Sequence, residues 1–276
     1  MQMDTYCVMG NPVEHSKSPW IHARFAELTG QQLRYEKRLV PLGGFAHAVQ
    51  QFRSAGGKGC NVTVPFKFES PQLATRLTPR AQLAQASNTL RFDGGEILGD
   101  NTDGIGLVND IQRNAGIELA GRDVLLVGAG GAAAGVLGPF IEAKPRRIVV
   151  ANRTPDKAQL VVSRHGSLAQ HHGVEVSASD LSIAGSFDVV VNATASSMSG
   201  AGVPIAAGVL KPAALACDLM YGPAAAGFVT WANEHGATGR DGLGMLVEQA
   251  AEAFLLWRGV RPPSAPVLAE LRAATA

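Results

Sequence analysis

A glycine-rich turn, GAGGAA at residues 128–133, has the residue types and spacing that bind a dinucleotide pyrophosphate. It follows the apolar stretch 123–127, which has the character of a buried strand, and it precedes an alanine-rich helix start. Gly128 permits the tight turn, Gly130 lets the backbone approach the phosphates, and the unpaired N–H groups of the new helix point toward them. Ala133 stands where the pattern has a third glycine, and a methyl group is tolerated there. The predicted pyrophosphate-binding residues are Gly128, Ala129, Gly130, Gly131 and Ala132.

The next predicted strand, 147–151, ends in Asn152-Arg153-Thr154, about where the adenosine ribose of a dinucleotide should lie. An acidic residue there would favour NAD by accepting from the ribose 2′-hydroxyl. The chain instead has a guanidinium flanked by hydrogen-bonding groups, which suits a 2′-phosphate. We therefore predict NADP as the cofactor. Arg153 also fits as a solvated charge at a helix start that Thr154 caps, and the two interpretations are compatible.

The predicted cofactor-binding residues must be positioned by a fold. From about residue 123 to residue 240, apolar strands alternate with helix-like stretches, and this alternation predicts a doubly wound parallel sheet. The predicted strands are 123–127, 147–151, 173–177, 187–191, 213–218 and 237–240, with helices at 131–143, 155–165 and 224–235. A second α/β unit precedes it, with strands at 5–10, 33–40, 59–64 and 89–92 and helices at 19–29, 43–55 and 104–115. Residues 242–258 have the apolar spacing of an amphipathic helix, and a short helix is predicted after Pro266.

Composition argues against several classes of protein. With 46% hydrophobic and 17% charged residues the chain can bury real cores, and a net charge of +1 gives no general attraction to nucleic acid or to anionic membranes. No stretch approaches the ~18 apolar residues that span a bilayer. Cys7, Cys60 and Cys217 are odd in number and far apart, which predicts a reducing cytoplasm rather than a disulfide framework. No histidine pair has the spacing and supporting carboxylate of a zinc site, so we predict no metal.

Several polar motifs converge on one family. They are NPVEHSKSP at 11–19, NVTVPFK at 61–67, NTL at 88–90, GDNTDG at 99–104 and GLGMLVEQA at 242–250. Their order and spacing resemble shikimate dehydrogenase over nearly the whole chain. The resemblance implies two α/β domains with a cleft between them: a substrate-binding domain at 1–102 plus 241–276, and a Rossmann-type NADP domain at 103–240.

The resemblance also implies a reaction, the reversible reduction of the ketone of 3-dehydroshikimate to shikimate by NADPH, a step of aromatic amino-acid biosynthesis. Hydride addition to a carbonyl carbon leaves negative charge on the oxygen, so the site must supply a proton donor there. We predict that Lys67 and Asp103 do this jointly, as a pair that titrates as a unit. Lys67 follows a strand predicted to end in Pro65, and Asp103 lies at a predicted helix start. A structural salt bridge is the alternative.

The remaining substrate contacts follow from the same resemblance. Ser16 and Ser18 can donate to the substrate carboxylate from one side of an extended turn, although Ser18 also fits as a helix cap. Tyr221 resembles the family tyrosine near that carboxylate, and a half-buried loop tyrosine is the plain alternative. Residues common in turns and caps match the family positions that hydrogen-bond the ring hydroxyls. They are Thr63, Asn88, Asn101 and Gln249.

The nicotinamide half of the cofactor is predicted to lie beyond strand 187–191. The residues expected there are Asn192, Thr194, Met220 and Gly242. The chain departs from the family at Ala133 and Ala195, where serines are usual, and reads Ala86-Ser87-Asn88-Thr89 where small-Val-Asn-Thr is usual. Ala133 and Ala195 each remove a possible polar contact near the cofactor, whereas the predicted acid/base pair is untouched.

Three alternatives stay open. The first is a quinate/shikimate dehydrogenase of broader specificity. That type can use NAD, and Arg153 argues against NAD as the cofactor here. The second is a non-catalytic NADP-binding regulator, which would have no need for Lys67 and Asp103. The third is another two-domain NADP oxidoreductase, such as a methylenetetrahydrofolate dehydrogenase, whose substrate has no use for the two serines. The expected partner is a small-molecule substrate, with no nucleic acid and no membrane, and the protein is expected to be a monomer or a homodimer.

Overall fold

A computed structural model of the chain describes residues 3–194 and 202–275. The backbone divides into two compact units, the first built from residues up to 106 with 247–274, and the second from 107–246. None of the helices in the described ranges has the length and apolar character needed to cross a membrane. The predicted assignment of substrate binding to 1–102 plus 241–276, and of NADP binding to 103–240, stays a prediction.

The first unit contains a mixed six-stranded sheet in the order β2-β1-β3-β5-β6-β4. Its strands are β1 (Asp4–Gly10), β2 (Leu33–Leu39), β3 (Gly59–Val62), β4 (Arg76–Leu77), β5 (Thr89–Asp93) and β6 (Glu96–Asp100). Strand β5 pairs antiparallel with both neighbours, and its first residue, Thr89, lies opposite Asp100 at the end of β6. This hairpin brings the NTL and GDNTDG motifs, which are separate in sequence, to one end of the sheet.

Helices cover the first sheet. They are α1 (Ser18–Thr29), α2 (Phe45–Ser54), α3 (Ser70–Leu73), α4 (Pro79–Ala84) and α10 (Ser264–Thr275), while α5 (Asp103–Asn109) and α9 (Leu243–Arg258) have residues in both units. Helix α2 buries Phe45, Val49 and Phe52, spaced by four and three residues, in one cluster with the strand residues Cys7 and Leu90. That spacing places all three side chains on one face of the helix.

The second unit contains a wholly parallel six-stranded sheet in the order β12-β11-β10-β7-β8-β9. Its strands are β7 (Asp123–Val127), β8 (Arg147–Ala151), β9 (Glu175–Ser179), β10 (Phe187–Asn192), β11 (Leu210–Asp218) and β12 (Thr238–Arg240). The chain order reverses between β7 and β10, and in sheets of this order a dinucleotide binds at the carboxyl ends of the strands beside that reversal. The predicted doubly wound parallel sheet is confirmed.

Alternate residues of β7 enter two separate cores. Val124 and Leu126 pack in the cluster that contains α6 (Gly131–Glu142) and α7 (Pro155–His172), whereas Leu125 and Val127 pack in the cluster that contains α8 (Pro223–Glu234). A strand buried on both faces is apolar at every position rather than at every second one. This is why residues 123–127 form an almost continuous apolar run ahead of the glycine turn.

The structure corrects several predicted boundaries. Strands β7 and β8 and the start of α6 are as predicted, but α7 runs to His172 instead of ending at 165, because Gly166 lies within a helix that buries Val161 and Ala169 on one face. The helix ends at Gly173, which has a left-handed φ of 68°, and β9 therefore begins two residues later than predicted. Strand β3 ends at Val62 rather than 64. The short elements β4, β6, α3 and α4 were not predicted, because two to six residues carry too little periodicity.

Candidate active site

Lys67 and Asp103 form an ion pair in the first unit, with 2.7 Å between Lys67 Nζ and Asp103 Oδ2. The side chains are 21% and 7% exposed, so the carboxylate is largely withdrawn from water while the ammonium keeps some access. A pair with one partly accessible partner can exchange a proton with a bound hydroxyl or carbonyl oxygen. The structure thus brings together two residues that are 36 positions apart in sequence.

Two short elements position this pair. Lys67 lies in a 3₁₀ turn, Phe66–Phe68, and its neighbour Phe66 is fully buried in the core of the first unit. The predicted strand reaching Pro65 is wrong, because β3 stops at Val62 and the turn that begins after Pro65 carries the lysine. Asp103 is the first residue of α5, close to the predicted helix start, where the positive end of the helix dipole favours a carboxylate.

Asn88 is the hub of a buried hydrogen-bond network around the pair. Its Nδ2 donates to Asp103 Oδ1 at 2.8 Å and lies 3.4 Å from Gln249 Oε1. Its Oδ1 accepts from the backbone N–H of Thr102 at 2.9 Å and from the Thr89 hydroxyl at 3.0 Å. Asn88 is 3% exposed, so these bonds form away from water. The predicted residues Asn88, Asp103 and Gln249 therefore share one network with Lys67.

The segment leading to Asp103 is held by a second buried ion pair. Arg80 donates to both carboxylate oxygens of Asp100, at 2.7 and 2.6 Å, and Asp100 Oδ1 also accepts from the backbone N–H of Asn101 at 2.8 Å. Burial alone would raise the pKa of Asp100, but the hydrogen bonds from Arg80 outweigh it and the pKa lies below its ordinary value. In the predicted residue Asn101, Nδ2 donates to the Ala86 carbonyl at 3.1 Å and Oδ1 accepts from the Asp103 N–H at 3.2 Å.

The two serines and Thr63 lie in the first unit near the carboxyl ends of β1 and β3. Ser16 is half-buried and its Oγ accepts from the backbone N–H of Ser18 at 3.3 Å. Ser18 is the first residue of α1 and not its cap: Lys17 occupies the cap position, and the Lys17 side chain makes no capping bond. The capping alternative for Ser18 is therefore wrong. The backbone N–H of Thr63 donates to Met9 O at 2.9 Å, and the Thr63 residue is half-buried.

Tyr221 belongs to the second unit, unlike the other predicted substrate residues. It follows β11 in a loop before α8, it is half-buried, and burial raises the pKa of its phenol above the ordinary value. The side chain is thus a protonated donor at neutral pH. Its predicted contact with the substrate carboxylate stays a prediction.

The glycine turn of the second unit has the predicted backbone. Gly128 has φ = 116°, a conformation that L side chains rarely adopt, and a Cβ there would lie 3.0 Å from Ala193 O. Gly130 occupies the cap position of α6, and a Cβ added to it would meet no atom within 4 Å. Open space beside the first N–H groups of a 12-residue helix fits a pyrophosphate. Ala133 is fully buried in the core, so its methyl group serves packing.

The residues after β8 are open to solvent. Arg153 and Thr154 are exposed, and within residues 3–194 and 202–275 the Arg153 guanidinium has no hydrogen bond or ion pair. Thr154 holds the cap position of α7 without a side-chain capping bond, and Asn152 Nδ2 donates to Thr154 O at 2.9 Å. The capping role suggested for the Thr154 side chain is wrong, whereas an unpaired guanidinium at this strand end fits a 2′-phosphate.

The carboxyl ends of β10 and β11 are tied together by side-chain and backbone bonds. Asn192 Nδ2 donates to Asp218 Oδ2 at 2.9 Å, and the Thr194 hydroxyl donates to Asn192 Oδ1 at 2.7 Å. The other oxygen of Asp218 accepts from the Met220 N–H at 2.8 Å, and the Gly242 N–H donates to Met220 O at 2.8 Å. The predicted residues Asn192, Thr194, Met220 and Gly242 therefore belong to one hydrogen-bonded cluster, while Ala195 lies outside the described residues.

Residue-by-residue reasoning missed several members of these networks. Thr102 and Asp100 lie within the GDNTDG motif, and Asp218 ends a predicted strand, but none was singled out, because a side chain that serves another side chain has no sequence signature of its own. Asn61 and Arg80 bond residues 28 and 20 positions away. The β3–β5 pairing, which sets Asn61 opposite Thr89, would have indicated the first, and the β4–β6 pairing, which brings the start of α4 near Asp100, the second; neither pairing was predicted.

Three family models match the chain. They are the shikimate dehydrogenase substrate binding domain at residues 8–90, shikimate / quinate 5-dehydrogenase at 110–200 and the shikimate 5′-dehydrogenase C-terminal domain at 242–272. A shikimate dehydrogenase (NADP(+)) of Acidovorax sp. strain JS42 is 67% identical, over 99% of this chain and 97% of the relative.

Solved structures agree with these matches. An Ael1 enzyme from Pseudomonas putida superimposes with a TM-score of 0.89 at 47% identity, over 97% of this chain and 98% of the other. Shikimate 5-dehydrogenase from Thermus thermophilus in complex with NADP(H) and shikimate superimposes with a TM-score of 0.83 at 30% identity, over 99% of this chain and 100% of the other.

A parallel sheet with a glycine turn before a helix, in one chain with a mixed α/β unit that contains a Lys–Asp ion pair, matches the two-unit α/β oxidoreductases of the nicotinamide-dependent class. Within that class, the chain belongs to the shikimate dehydrogenase family.

Proposed function

We propose that this chain catalyses the reversible reduction of 3-dehydroshikimate to shikimate with NADPH, a step of aromatic amino-acid biosynthesis. The observation that carries the proposal is the Lys67–Asp103 pair, bonded at 2.7 Å and surrounded by amide and hydroxyl groups that suit a polyhydroxylated ring. A protein that only binds NADP has no use for such a pair. The close relatives named NADP-dependent shikimate dehydrogenases support the same reaction.

In the proposed mechanism the pair handles the proton. When bound, the reduced nicotinamide supplies the hydride that the ketone carbon accepts. Lys67 and Asp103 jointly give a proton to the carbonyl oxygen as its charge develops, and take it back from the hydroxyl in the reverse direction. Asn88 holds Asp103 by donating to Oδ1, so that Oδ2 stays directed at Lys67.

The remaining predicted residues bind and orient the reactants in this proposal. Ser16, Ser18 and Tyr221 would hold the carboxylate, and Thr63, Asn88, Asn101 and Gln249 the ring hydroxyls. The GAGGA segment at 128–132 would bind the pyrophosphate. The 2′-phosphate would be bound by Arg153 with Asn152 and Thr154. The nicotinamide half would be bound by the cluster of Asn192, Thr194, Met220 and Gly242. The proposal includes a cytoplasmic location, and a monomer or homodimer.

Quinate is a second candidate substrate. One matching family model covers shikimate / quinate 5-dehydrogenases, and a hydroxyl at the same ring position could meet the same acid/base pair. The unpaired, exposed Arg153 favours NADP over NAD for either substrate.

The test is an absorbance assay of nicotinamide reduction by the purified protein, with shikimate or quinate and with NADP or NAD, in all four combinations. Turnover that is much faster with shikimate and NADP than with any other pair is the expected result. Comparable rates with quinate or NAD would assign the protein to the broader-specificity type. NADP binding without turnover of either substrate would overturn the proposal in favour of a regulator or of another substrate.

A further inference from the structure

A continuous chain of side-chain hydrogen bonds leads away from the acid/base pair into the core of the first unit. Asp103 Oδ1 accepts from Asn88 Nδ2 at 2.8 Å, and Asn88 Oδ1 accepts from the Thr89 hydroxyl at 3.0 Å. Thr89 Oγ1 in turn accepts from Asn61 Nδ2 at 3.0 Å, and Asn61 Oδ1 accepts from the Tyr35 hydroxyl at 2.7 Å. The chain therefore reaches a phenol on the edge strand β2, and this phenol is also hydrogen-bonded to the Ser18 side chain.

Backbone groups determine the direction of these bonds. The Asn88 carbonyl, which can only accept, lies 3.3 Å from Asn61 Nδ2, so the NH₂ group of Asn61 faces Asn88 O and Thr89, and its Oδ1 accepts from the Tyr35 hydroxyl. With its oxygen accepting from Asn61, the Thr89 hydroxyl has its proton free to donate to Asn88 Oδ1. The NH₂ group of Asn88 is then the end that faces the Asp103 carboxylate.

Burial prevents water from replacing these partners. Asn61, Asn88 and Thr89 are 6%, 3% and 0% exposed. The Tyr35 ring stacks on His22, with centroids 4.3 Å apart and planes 6° apart. Burial lowers the pKa of His22 to about 3, so the stacked imidazole is neutral at physiological pH and adds no charge beside the phenol.

We propose that Tyr35, Asn61 and Thr89 are positioning residues for the acid/base step, acting through the orientation of the Asn88 amide. The inference rests on the proposed function, because it assigns these residues to the reaction of Lys67 and Asp103. An Asn88 amide turned by 180° would direct its oxygen at the carboxylate of Asp103, which favours the protonated acid and breaks the 2.8 Å bond. The Thr102 N–H opposes that turn from the backbone, and the hydroxyls of Thr89 and Thr102, at 3.0 and 3.2 Å, are further donors to the same oxygen.

The primary test compares Thr89→Val with Thr89→Ser. Valine keeps the shape and removes the hydroxyl, whereas serine keeps the hydroxyl and removes a methyl group. Thr89→Val should lower kcat for shikimate oxidation by about threefold to tenfold, the usual worth of one hydrogen bond. The acid limb of its kcat–pH profile should move to higher pH, because the Asn88 amide, with one donor to its oxygen removed, is held less firmly with its NH₂ group toward Asp103. Thr89→Ser should restore most of both properties.

Tyr35→Phe tests the far end of the chain and keeps the stacking on His22. It should move the pH profile in the same direction by a smaller amount, since the Asn61 and Thr89 bonds remain. Thr75→Val is the matched control, because the Thr75 hydroxyl bonds only the backbone of Ile97 and is not linked to Asn88. Its pH profile should equal that of the wild type. NADP affinity, measured by fluorescence titration, should be the same in all four variants as in the wild type.

The outcomes separate this inference from the proposed function. An inactive wild-type protein that binds NADP overturns the proposed function. An active wild type, with Thr89→Val unchanged in kcat and pH profile, overturns the positioning role alone. Equal losses in Thr89→Val and Thr89→Ser also overturn it, because lost packing would then be the cause. If Thr89→Val does not fold, a Tyr35→Phe profile identical to the wild type overturns it.

Discussion

The two units build their candidate sites from different materials. In the first unit, Lys67, Asp103 and Asn88 are buried or half-buried side chains that bond one another over 2.7–2.8 Å. In the second unit, the glycine turn offers backbone N–H groups and open space, and Arg153 extends into solvent without a partner in the described ranges. One site is a network of side chains and the other is a surface of backbone with one exposed cation.

This difference follows from what each site has to do. A proton donor must be held in register with one oxygen atom, and a misplacement of the order of 1 Å costs much of the rate. A pyrophosphate is a large anion that several N–H groups can share, so a helix start and a glycine turn can bind it without side chains. We therefore expect substitutions in the buried network of the first unit to act on catalysis and stability, and those of exposed site residues in the second unit to act on affinity.

The largest effect is expected from Lys67→Ala, which breaks the side-chain network at its reacting end. The variant should lose roughly 10²- to 10⁴-fold in kcat, the usual contribution of a positioned acid or base, with NADP affinity unchanged. Steady-state kinetics with shikimate and a fluorescence titration with NADP measure the two effects. Lys58→Ala, at an exposed lysine of the same unit, is the control. Turnover near that of the wild type would remove Lys67 from the chemistry.

The next effect is on stability, at the Arg80–Asp100 pair beneath the Asp103 segment. Arg80→Leu leaves a carboxylate that is 1% exposed without its cation, which should destabilise the protein by about 3–5 kcal/mol at neutral pH. Arg76→Leu breaks an exposed pair with Glu96 and should cost about 0–1 kcal/mol. Urea unfolding of both variants measures the contrast.

The pH dependence of the stability lost in Arg80→Leu tests whether Arg80 acts on Asp100 through its charge. Because the pKa of Asp100 is lowered in the folded protein, its stabilising contribution is present above the ordinary value of 3.8 and is lost as the pH falls through the lowered pKa. Without Arg80, burial raises the pKa, and protonation of Asp100 relieves the cost. The loss caused by Arg80→Leu should therefore shrink between pH 7 and pH 4. A loss independent of pH would mean that packing, rather than charge, is what Arg80 contributes.

A smaller effect is expected from Arg153→Ala, at the open surface of the second unit. Loss of a charge-assisted hydrogen bond should weaken NADP by about 1.5–3 kcal/mol, and NAD much less, since only NADP has a 2′-phosphate. Binding titrations with both dinucleotides measure this, with Arg164→Ala, an exposed arginine on α7, as the control. Equal weakening of both cofactors would show that Arg153 is not the discriminating residue.

The smallest effect is expected from Ala133→Ser, which restores the usual family residue. Ala133 is fully buried in the core that α6 shares with β7, so the added hydroxyl should leave NADP affinity within about twofold of the wild type. Its cost should appear in stability, up to about 1–3 kcal/mol if the hydroxyl finds no partner. A large gain in NADP affinity would show that the side chain at this position reaches the cofactor.

The sequence predicted most where the chemistry is local. The turn at 128–133 and Arg153 could be identified because a strand, a turn and a helix start follow one another directly, and the resulting turn has the expected φ at Gly128. Lys67 and Asp103 were predicted through a family resemblance, since nothing local to either residue indicates that they meet. Their roles, and those of the other site residues, stay predictions for the experiments above.

The sequence predicted least where a residue serves a distant one. Asn61 lies in a strand that is buried at every position, and its bonds to Tyr35, Thr89 and the Asn88 carbonyl explain a polar residue there. Arg80 has the appearance of an ordinary charge in the first turn of a short helix until the β4–β6 pairing brings Asp100 beside it. Long-range pairing of this kind depends on tertiary structure and has no period that a sequence reveals.

The isolation of Arg153 also bears on how such a protein evolves. An exposed side chain without partners in the described ranges can be replaced with little effect on folding, so a single point mutation there would meet no structural penalty that a second mutation must first offset. If Arg153 binds the 2′-phosphate, a substitution at this position alone can change the cofactor preference from NADP toward NAD. In the buried network of the first unit, each replacement leaves a neighbouring polar group without its hydrogen-bond partner. A single mutation there therefore offers no comparable path to a new substrate.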